Sequence, residues 1–196
     1  MRKIIYSLSV SLDGFVEDAE KSLDWVHIDD EIHTFFNDQS RGLDAFLYGR
    51  TMYELMSAYW PTADANPSAH PVEVDFSQIW KRVPKLVFSD TLDHVEWNSR
   101  LLRRDDLAET VKTLKAESGN DLGVGGPTLA GALIQLGLVD EFHLMVNPVV
   151  LGHGTPYFPL LDHKIPLQLV ETRSFSGGVI FLRYERVNEA ITPDQT

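Results

Sequence analysis

Leu122-Gly123-Val124-Gly125-Gly126-Pro127-Thr128-Leu129-Ala130-Gly131-Ala132-Leu133 is the stretch that decides the fold, because a short apolar strand runs into glycines and straight into a helix. Gly125 and Gly126 have no Cβ, so a ligand can approach the backbone closely, and Pro127 has the fixed φ suited to a first helical position. Such a helix start directs free N–H groups and a positive dipole end at an anion. An ordinary tight turn uses glycines in the same way, so this segment alone leaves both readings open.

Working outward, Ala45-Phe46-Leu47-Tyr48-Gly49-Arg50-Thr51-Met52-Tyr53-Glu54 repeats the order of apolar strand, glycine and helix start. Arg50 carries a planar fork that matches phosphate oxygens, although a surface pair with Glu54, four residues on, is an equally physical use of it. A third strand, Lys85-Leu86-Val87-Phe88, ends in the small hydroxyl of Ser89. Glycine, arginine and hydroxyl at three strand ends suit a dinucleotide lying across the carboxyl edge of an open α/β sheet.

The ordered set Ser11-Leu12-Asp13-Gly14-Phe15, Gly49 to Glu54, Leu86 to Ser89, Gly123 to Leu129, and Leu138-Val139-Asp140-Glu141 through Asn147-Pro148-Val149-Val150-Leu151-Gly152-His153-Gly154 resembles the dihydrofolate reductase superfamily. Within it, the branch resembled is that of the C-terminal reductase domain of the bifunctional riboflavin-biosynthesis deaminase/reductase. The likeness spans residues 1–187 and leaves 188–196 as a polar tail. It implies an α/β three-layer sandwich: a central mixed, mostly parallel sheet, helices on both faces and a C-terminal antiparallel hairpin. It also implies a reduced nicotinamide cofactor, NADPH with NADH possible, held by Gly49, Arg50, Thr51, Ser89, Gly125, Gly126, Thr128 and Leu129. The expected activity is hydride transfer to a small heterocycle, pterin- or pyrimidine-like, or to a carbonyl. A non-catalytic nucleotide-binding protein on the same scaffold is the alternative. A cis peptide between Gly125 and Gly126 is a further implication of the likeness.

In the resembled family the loop after the first strand closes over the nicotinamide. Here it carries Asp13-Gly14-Phe15, which also reads as a plain turn. Phe15 can cover a ring, and Trp25 can wall a flat substrate or anchor the loop to the core. Reduction of C=N or C=O leaves an atom in need of a proton. Dihydrofolate reductases place the acid on the first helix, four residues before a phenylalanine that contacts substrate, and Glu31 and Phe35 keep that spacing. Asp13 and Glu31 are therefore the candidate acids, with a solvated surface position as the alternative for each. The chain departs from the pattern at Met52, where a threonine is usual with Thr51 one place displaced, and at Asp90, a carboxylate beside Ser89. No arginine for a folate tail is identifiable, which disfavours folate.

Composition narrows the classes further. A chain of 196 residues fits one domain, and 43% apolar residues is ordinary for a soluble protein. With 17 Lys and Arg against 29 Asp and Glu, the net charge of −12 repels nucleic acid and anionic membranes and leaves a small molecule as the expected partner. Cysteine is absent, which excludes disulfides and thiolate chemistry. The seven histidines keep no metal-binding spacing, and His143 reads as a sheet-face or interface residue. No apolar run reaches the roughly 18 residues of a membrane span, and the N-terminus leads directly into a strand, so cytoplasm is the expected location.

Periodicity predicts strands over 3–9, 44–48, 85–88 and 141–147, and helices over 28–39, 50–58 and 72–82 with a loop from Pro61 to Pro71. A further helix starts at Asp105 or Asp106 and reaches Glu117, and 167–175 pairs with 179–187 around Ser176-Gly177-Gly178. Phe142, Leu144 and Val146 alternate with His143, Met145 and Asn147, and together with the likeness they predict a homodimer through the C-terminal region.

Overall fold

The first strand, β1 (Ile4–Ser11), lies near the middle of the sheet in the computed structural model, which describes residues 1–187. It is flanked by two parallel neighbours, β6 (Leu122–Gly125) and β7 (Glu141–Asn147). Beyond β6 come β3 (Ala45–Gly49), β4 (Lys85–Phe88) and β5 (Ser99–Leu102), all parallel. Beyond β7 the chain returns antiparallel in β10 (Ile180–Arg186) and β9 (Leu167–Ser174). The eight-strand order is β5-β4-β3-β6-β1-β7-β10-β9, a mixed, mostly parallel sheet with a C-terminal hairpin, as the sequence predicts. The proposed polar tail, 188–196, lies outside the described residues.

Alternation along each strand assigns the two faces. Ile4, Tyr6, Leu47, Val124 and Phe142 turn to one side, where α4 (Leu107–Ala116) and α5 (Pro127–Gln135) close a continuous apolar layer. The other side carries α1 (Asp30–Arg41), α2 (Arg50–Ala63) and α3 (Pro71–Arg82), and its core is divided. One cluster gathers Phe46, Tyr48, Tyr53, Ile79 and Trp80, and the other gathers Ile32, Met145, Phe175, Val179 and Phe181. A gap between the two clusters opens beside Gly123, Gly125 and Ser7. That gap is the cleft described below.

Four local features differ from the sequence expectation. Asp29 is not in the first turn of α1 but caps it, accepting from the Ile32 N–H at 2.9 Å. α2 continues through Pro61, which is buried, while the preceding carbonyl of Trp60 accepts from Ser77 Oγ at 2.6 Å. β5 was not anticipated, nor was the small sheet of β2 (Phe15–Glu17) with β8 (Thr155–Pro156). Among the described residues no helix is long and apolar enough to cross a membrane.

Candidate active site

Strand register builds the floor of a cleft of about 800 Å³. Phe46, Gly123, Ile5 and Glu141 form one row across the sheet, and Tyr48, Gly125, Ser7, His143 and Arg183 form the next. All of these line the cleft, and Met52, Met56, Trp60, Phe76 and Phe36 form its helical walls. Neighbouring side chains close over the two glycines, and a Cβ at position 123 would stand 2.6 Å from Leu43 Cδ1. An alanine Cβ at position 125 would stand 2.7 Å from Tyr48 Cε1 and 3.2 Å from Met52 Cε. Tyr48 is buried and stacked on Phe46 with centroids 5.5 Å apart, so it has little room to move. Gly125→Ala is therefore expected to destabilise the protein by about 1–3 kcal/mol, read by denaturant unfolding, and an unchanged midpoint would show that the floor has slack.

At the carboxyl ends of β3 and β6 two helices start without a side-chain cap: α2 after Gly49 and α5 after Gly126. Asp29 caps α1 and His70 with Glu73 forms a capping box on α3, while α4 also starts without a side-chain bond, after Asp106. The starts of α2 and α5 adjoin. A Cβ on Gly49 would touch Leu129 Cβ at 3.8 Å, and one on Gly126 would meet Met52 Cβ at 3.2 Å. Gly126 opens α5 with φ 87 and ψ 137, a conformation suited to glycine. The Gly125–Gly126 peptide is trans, as is every described peptide bond, which corrects the expected cis bond; the positive φ of Gly126 makes the turn instead.

Arg50 and Ser89 occupy the same edge. Arg50 donates to Glu54 Oε1 at 2.9 Å, the pair foreseen as its alternative use, and to Thr91 Oγ1 at 3.1 Å. Ser89 Oγ accepts the N–H groups of Thr91 and Leu92, which folds the turn beneath Arg50. Asp90 is turned to the β5 side, where it accepts from the Arg104 N–H at 3.2 Å. Thr51 and Thr128 are exposed in the first turns of their helices, and Leu129 is buried.

The loop after β1 is fixed by Asp13. Its Oδ1 accepts from Ser11 Oγ at 2.7 Å and the Leu151 N–H at 3.1 Å, and its Oδ2 from the Gly152 N–H at 2.7 Å. The Ser11 hydroxyl and the Gly152 and Leu151 amides hold its carboxyl down to about 2. Asp13 is thus an ionised clamp between two loops, a geometry that gives it no proton to donate at neutral pH. Gly14, at φ 86, turns the chain there, and its carbonyl accepts from the Tyr157 N–H at 2.9 Å.

Several candidates stand outside the cleft. Glu31 is exposed and donated to by Arg173 at 2.7 Å, in a shallow depression with Phe35 and Asp38. Phe35 packs on Phe175 and Phe181 at 5.2 and 4.8 Å. The α1 residues that do line the cleft are His33, Phe36, Asn37, Gln39 and Ser40, so the expected face of the helix is displaced by about half a turn. Trp25 donates to the Ser22 carbonyl at 3.2 Å, while its neighbours Leu23, Val26 and Ile28 line the cleft. Phe15 sits in β2 beside Pro156, away from the lining.

Sequence reasoning missed the polar end of the cleft. Glu141 is buried and bonded to Lys3 Nζ at 2.5 Å and to His143 Nε2 at 2.9 Å, with Arg183 Nε at 3.6 Å. Burial alone would raise the Glu141 carboxyl, but His143 and Lys3 outweigh it and hold it at about 2. His143, read from the sequence as a face or interface residue, is buried inside the protomer, with Nδ1 3.3 Å from Gln39 Oε1.

The family model described as the RibD C-terminal domain matches residues 2–181. Protein YyaP of Bacillus subtilis (strain 168) is 37% identical over 187 residues, covering 93% of this chain and 94% of that one. Among solved structures, a putative riboflavin biosynthesis protein from Shewanella sp. PV-4 superposes with a TM-score of 0.75 at 22% identity, covering 96% of this chain and all of the other. A dihydrofolate reductase from Enterococcus faecalis complexed with NADP(H) superposes with a TM-score of 0.61 at 13% identity, over 95% and 97% of the two chains.

Proposed function

Because the chain belongs to the RibD C-terminal domain family, we propose that it is an NADPH-dependent reductase of a small heterocyclic or carbonyl compound. Family membership supports a reductase-type function; the cofactor and substrate class are our reading of the site. The observation that carries it is the pair of adjoining, uncapped helix starts at Gly49 and Gly126, with Arg50 and Ser89 on the same edge and the cleft beside them. Backbone N–H groups at such ends suit a pyrophosphate, and the glycines leave room for close approach. Gly126, Thr128 and Leu129 would hold the pyrophosphate, Arg50 and Ser89 the adenosine end, and Thr51 the first turn of α2. When bound, a reduced nicotinamide supplies the hydride. The chain's own residues shape the floor, exclude water with the Met52, Met56 and Trp60 wall, and fix the loop over the site through Asp13.

Following the absorbance of NADPH over a panel of oxidised pterins, pyrimidines, quinones and aldehydes tests this reading. Consumption with one class supports it, and binding without consumption by any of them favours a non-catalytic nucleotide-binding protein. The commitment of Asp13 to a clamp and of Glu31 to Arg173 is the observation on that second side.

We also propose a homodimer, with the contact on the C-terminal hairpin at β9 rather than on a face of β7. Both faces of β7 are used within the protomer, Phe142 in the layer under α5 and Met145 against Ile32 and Phe181. β9 is an outer strand with Leu169 and Val170 exposed, and Ile180 is exposed beside it. An open apolar edge of this kind favours pairing with a second copy. Light scattering after size exclusion is expected to give twice the 22.1 kDa of one chain; a single-chain mass at micromolar concentration removes the dimer.

A further inference from the structure

Seven titratable side chains line the cleft among the described residues, and six of them are committed or unsuited to giving up a proton. Lys3 and His143 bond Glu141 at the polar end, and Arg183 Nε faces the same carboxylate at 3.6 Å. Asp121 accepts from the Lys3 N–H at 2.7 Å. Burial pushes the Tyr48 phenol far above its ordinary value. His33 remains. Its Nδ1 is 3.1 Å from Asn37 Oδ1. Asn37 is fully buried and uses both amide protons, on the Val72 carbonyl at 2.9 Å and on Asp75 at 2.8 Å, so its oxygen can only accept. His33 must therefore carry a hydrogen on Nδ1 in either charge state, and any proton it exchanges with a substrate is on Nε2.

The surroundings of His33 are mixed. α2 presents the Trp60 ring at 6.0 Å and α3 the Phe76 ring at 6.2 Å. The nearby charges are Glu73, bonded to Tyr59 and the His70 N–H; Asp75, bonded to Asn37 and Arg41; and Asp30, paired with His70 at 3.2 Å. In the cleft itself both cations are engaged. Lys3 pairs with Glu141 and Glu185, and Arg183 lies 3.6 Å from both Glu141 and Glu171. The fixed cations of the cleft already face Glu141, Glu171 and Glu185, so an anion placed there competes with three carboxylates for them.

On the reductase reading above, we propose that the cleft takes an uncharged planar carbonyl or imine compound and that His33 is a catalytic residue donating a proton from Nε2. The C=O or C=N π bond breaks as its carbon accepts the hydride supplied by NADPH, which is oxidised to NADP+. The heteroatom takes the His33 proton, and solvent restores it to the imidazole. Asn37 is the positioning residue. Trp60 and Phe76 offer ring edges to the flat substrate.

Two measurements test this. Long-range proton–nitrogen correlation spectra of the wild-type protein are expected to show neutral His33 with its hydrogen on Nδ1, and a hydrogen on Nε2 instead overturns the positioning by Asn37. Kinetics then use 1,4-naphthoquinone, an uncharged oxidised pterin and benzaldehyde, each beside a sulfonated or carboxylated analogue. At least one uncharged probe is expected to exceed its anionic analogue in kcat/KM by about tenfold or more. His33→Gln is expected to lower kcat on that probe by about 10²-fold and to remove its fall with rising pH, while the Kd for NADPH, measured by fluorescence, stays as in the wild type. Preference for the anionic analogues, a His33→Gln rate near the wild type's, or NADPH binding with no probe reduced overturns this inference and leaves the cofactor reading standing. Absence of NADPH binding overturns both.

Discussion

Glu141→Ala is expected to lower the thermal midpoint at neutral pH by about 6 to 12 °C, the shift that about 3 kcal/mol produces in a chain of this size. The side chain is 5% exposed and holds Lys3 and His143 by direct bonds, with Arg183 nearby. Removing it leaves those groups facing one another in a buried setting, where breaking a pair is strongly destabilising. The lower end of the range applies because the Lys3 side chain is 42% exposed and water screens it in part. The pH dependence has a fixed sign. Glu141 is held at about 2 in the folded protein against an ordinary 4.5, so the unfolded chain binds the proton first as pH falls. Its stabilisation is complete above about pH 5 and is lost as pH drops towards 2. Lys3 works at the other limit: its hydrogen bonds to Glu141 and Glu185 raise it to about 12 from 10.5, so its share persists below 10.5 and fades as pH rises through 12. Thermal melts of wild type and variant across pH 2 to 7 should converge at the acid end. A constant gap between them, or a midpoint change under about 2 °C at neutral pH, removes Glu141 from the set of stabilising groups.

The parallel sheet and the two glycine-led helix starts at its carboxyl edge were legible because each rests on local rules. Apolar runs of four or five residues ending in glycine or serine, followed by a helix start, fix β3, β4 and β6 and the order of groups at their ends. Leucines and valines on alternating phases mark the buried layer under α4 and α5 in the same way. The missed elements depend on partners far along the chain. Ser99-Arg100-Leu101-Leu102 becomes β5 only because β4 offers an edge, and Thr155-Pro156 becomes β8 only because Asp13 draws residues 151 and 152 to the first loop. α2 runs on past Pro61 to Ala63, and the Trp60 carbonyl in its last turn is taken by Ser77 of α3, a tertiary contact that propensity cannot see.

The positions of the candidate acids were hidden for a related reason. On α1 the apolar residues Ile32, Phe35 and Phe36 announce a buried face, but a polar residue lining a cleft and one facing solvent have the same period. Glu31 and His33 are alike in sequence until the divided core shows which side of the helix borders empty space. His143 and Glu141 posed the same problem on β7. Their phase is polar, yet Arg183 and Lys3, from opposite ends of the chain, make burial tolerable by supplying charge.

Arg50→Ala is expected to weaken NADPH by about 10- to 100-fold while changing NADH far less, because it removes a charge-assisted contact to the 2′-phosphate worth about 1.5–3 kcal/mol. The present partners of Arg50 do not oppose that role. Its guanidinium is 52% exposed, and an exposed pair with Glu54 four residues on contributes only about 0.3–0.5 kcal/mol, so a phosphate wins the competition for the fork. Thr91 Oγ1 lies 3.1 Å from the Arg50 guanidinium on a turn that the buried Ser89 folds from beneath by accepting the Thr91 and Leu92 N–H groups. Asp90, the one residue in that turn with the wrong charge, has its carboxylate drawn to the Arg104 N–H and lies 4.0 Å from Arg103, which lessens its repulsion of a phosphate. Fluorescence titration of both cofactors against wild type and Arg50→Ala measures the difference. Equal losses for NADPH and NADH would place Arg50 on a group the two share, the pyrophosphate, and would leave the 2′-phosphate to another part of the edge.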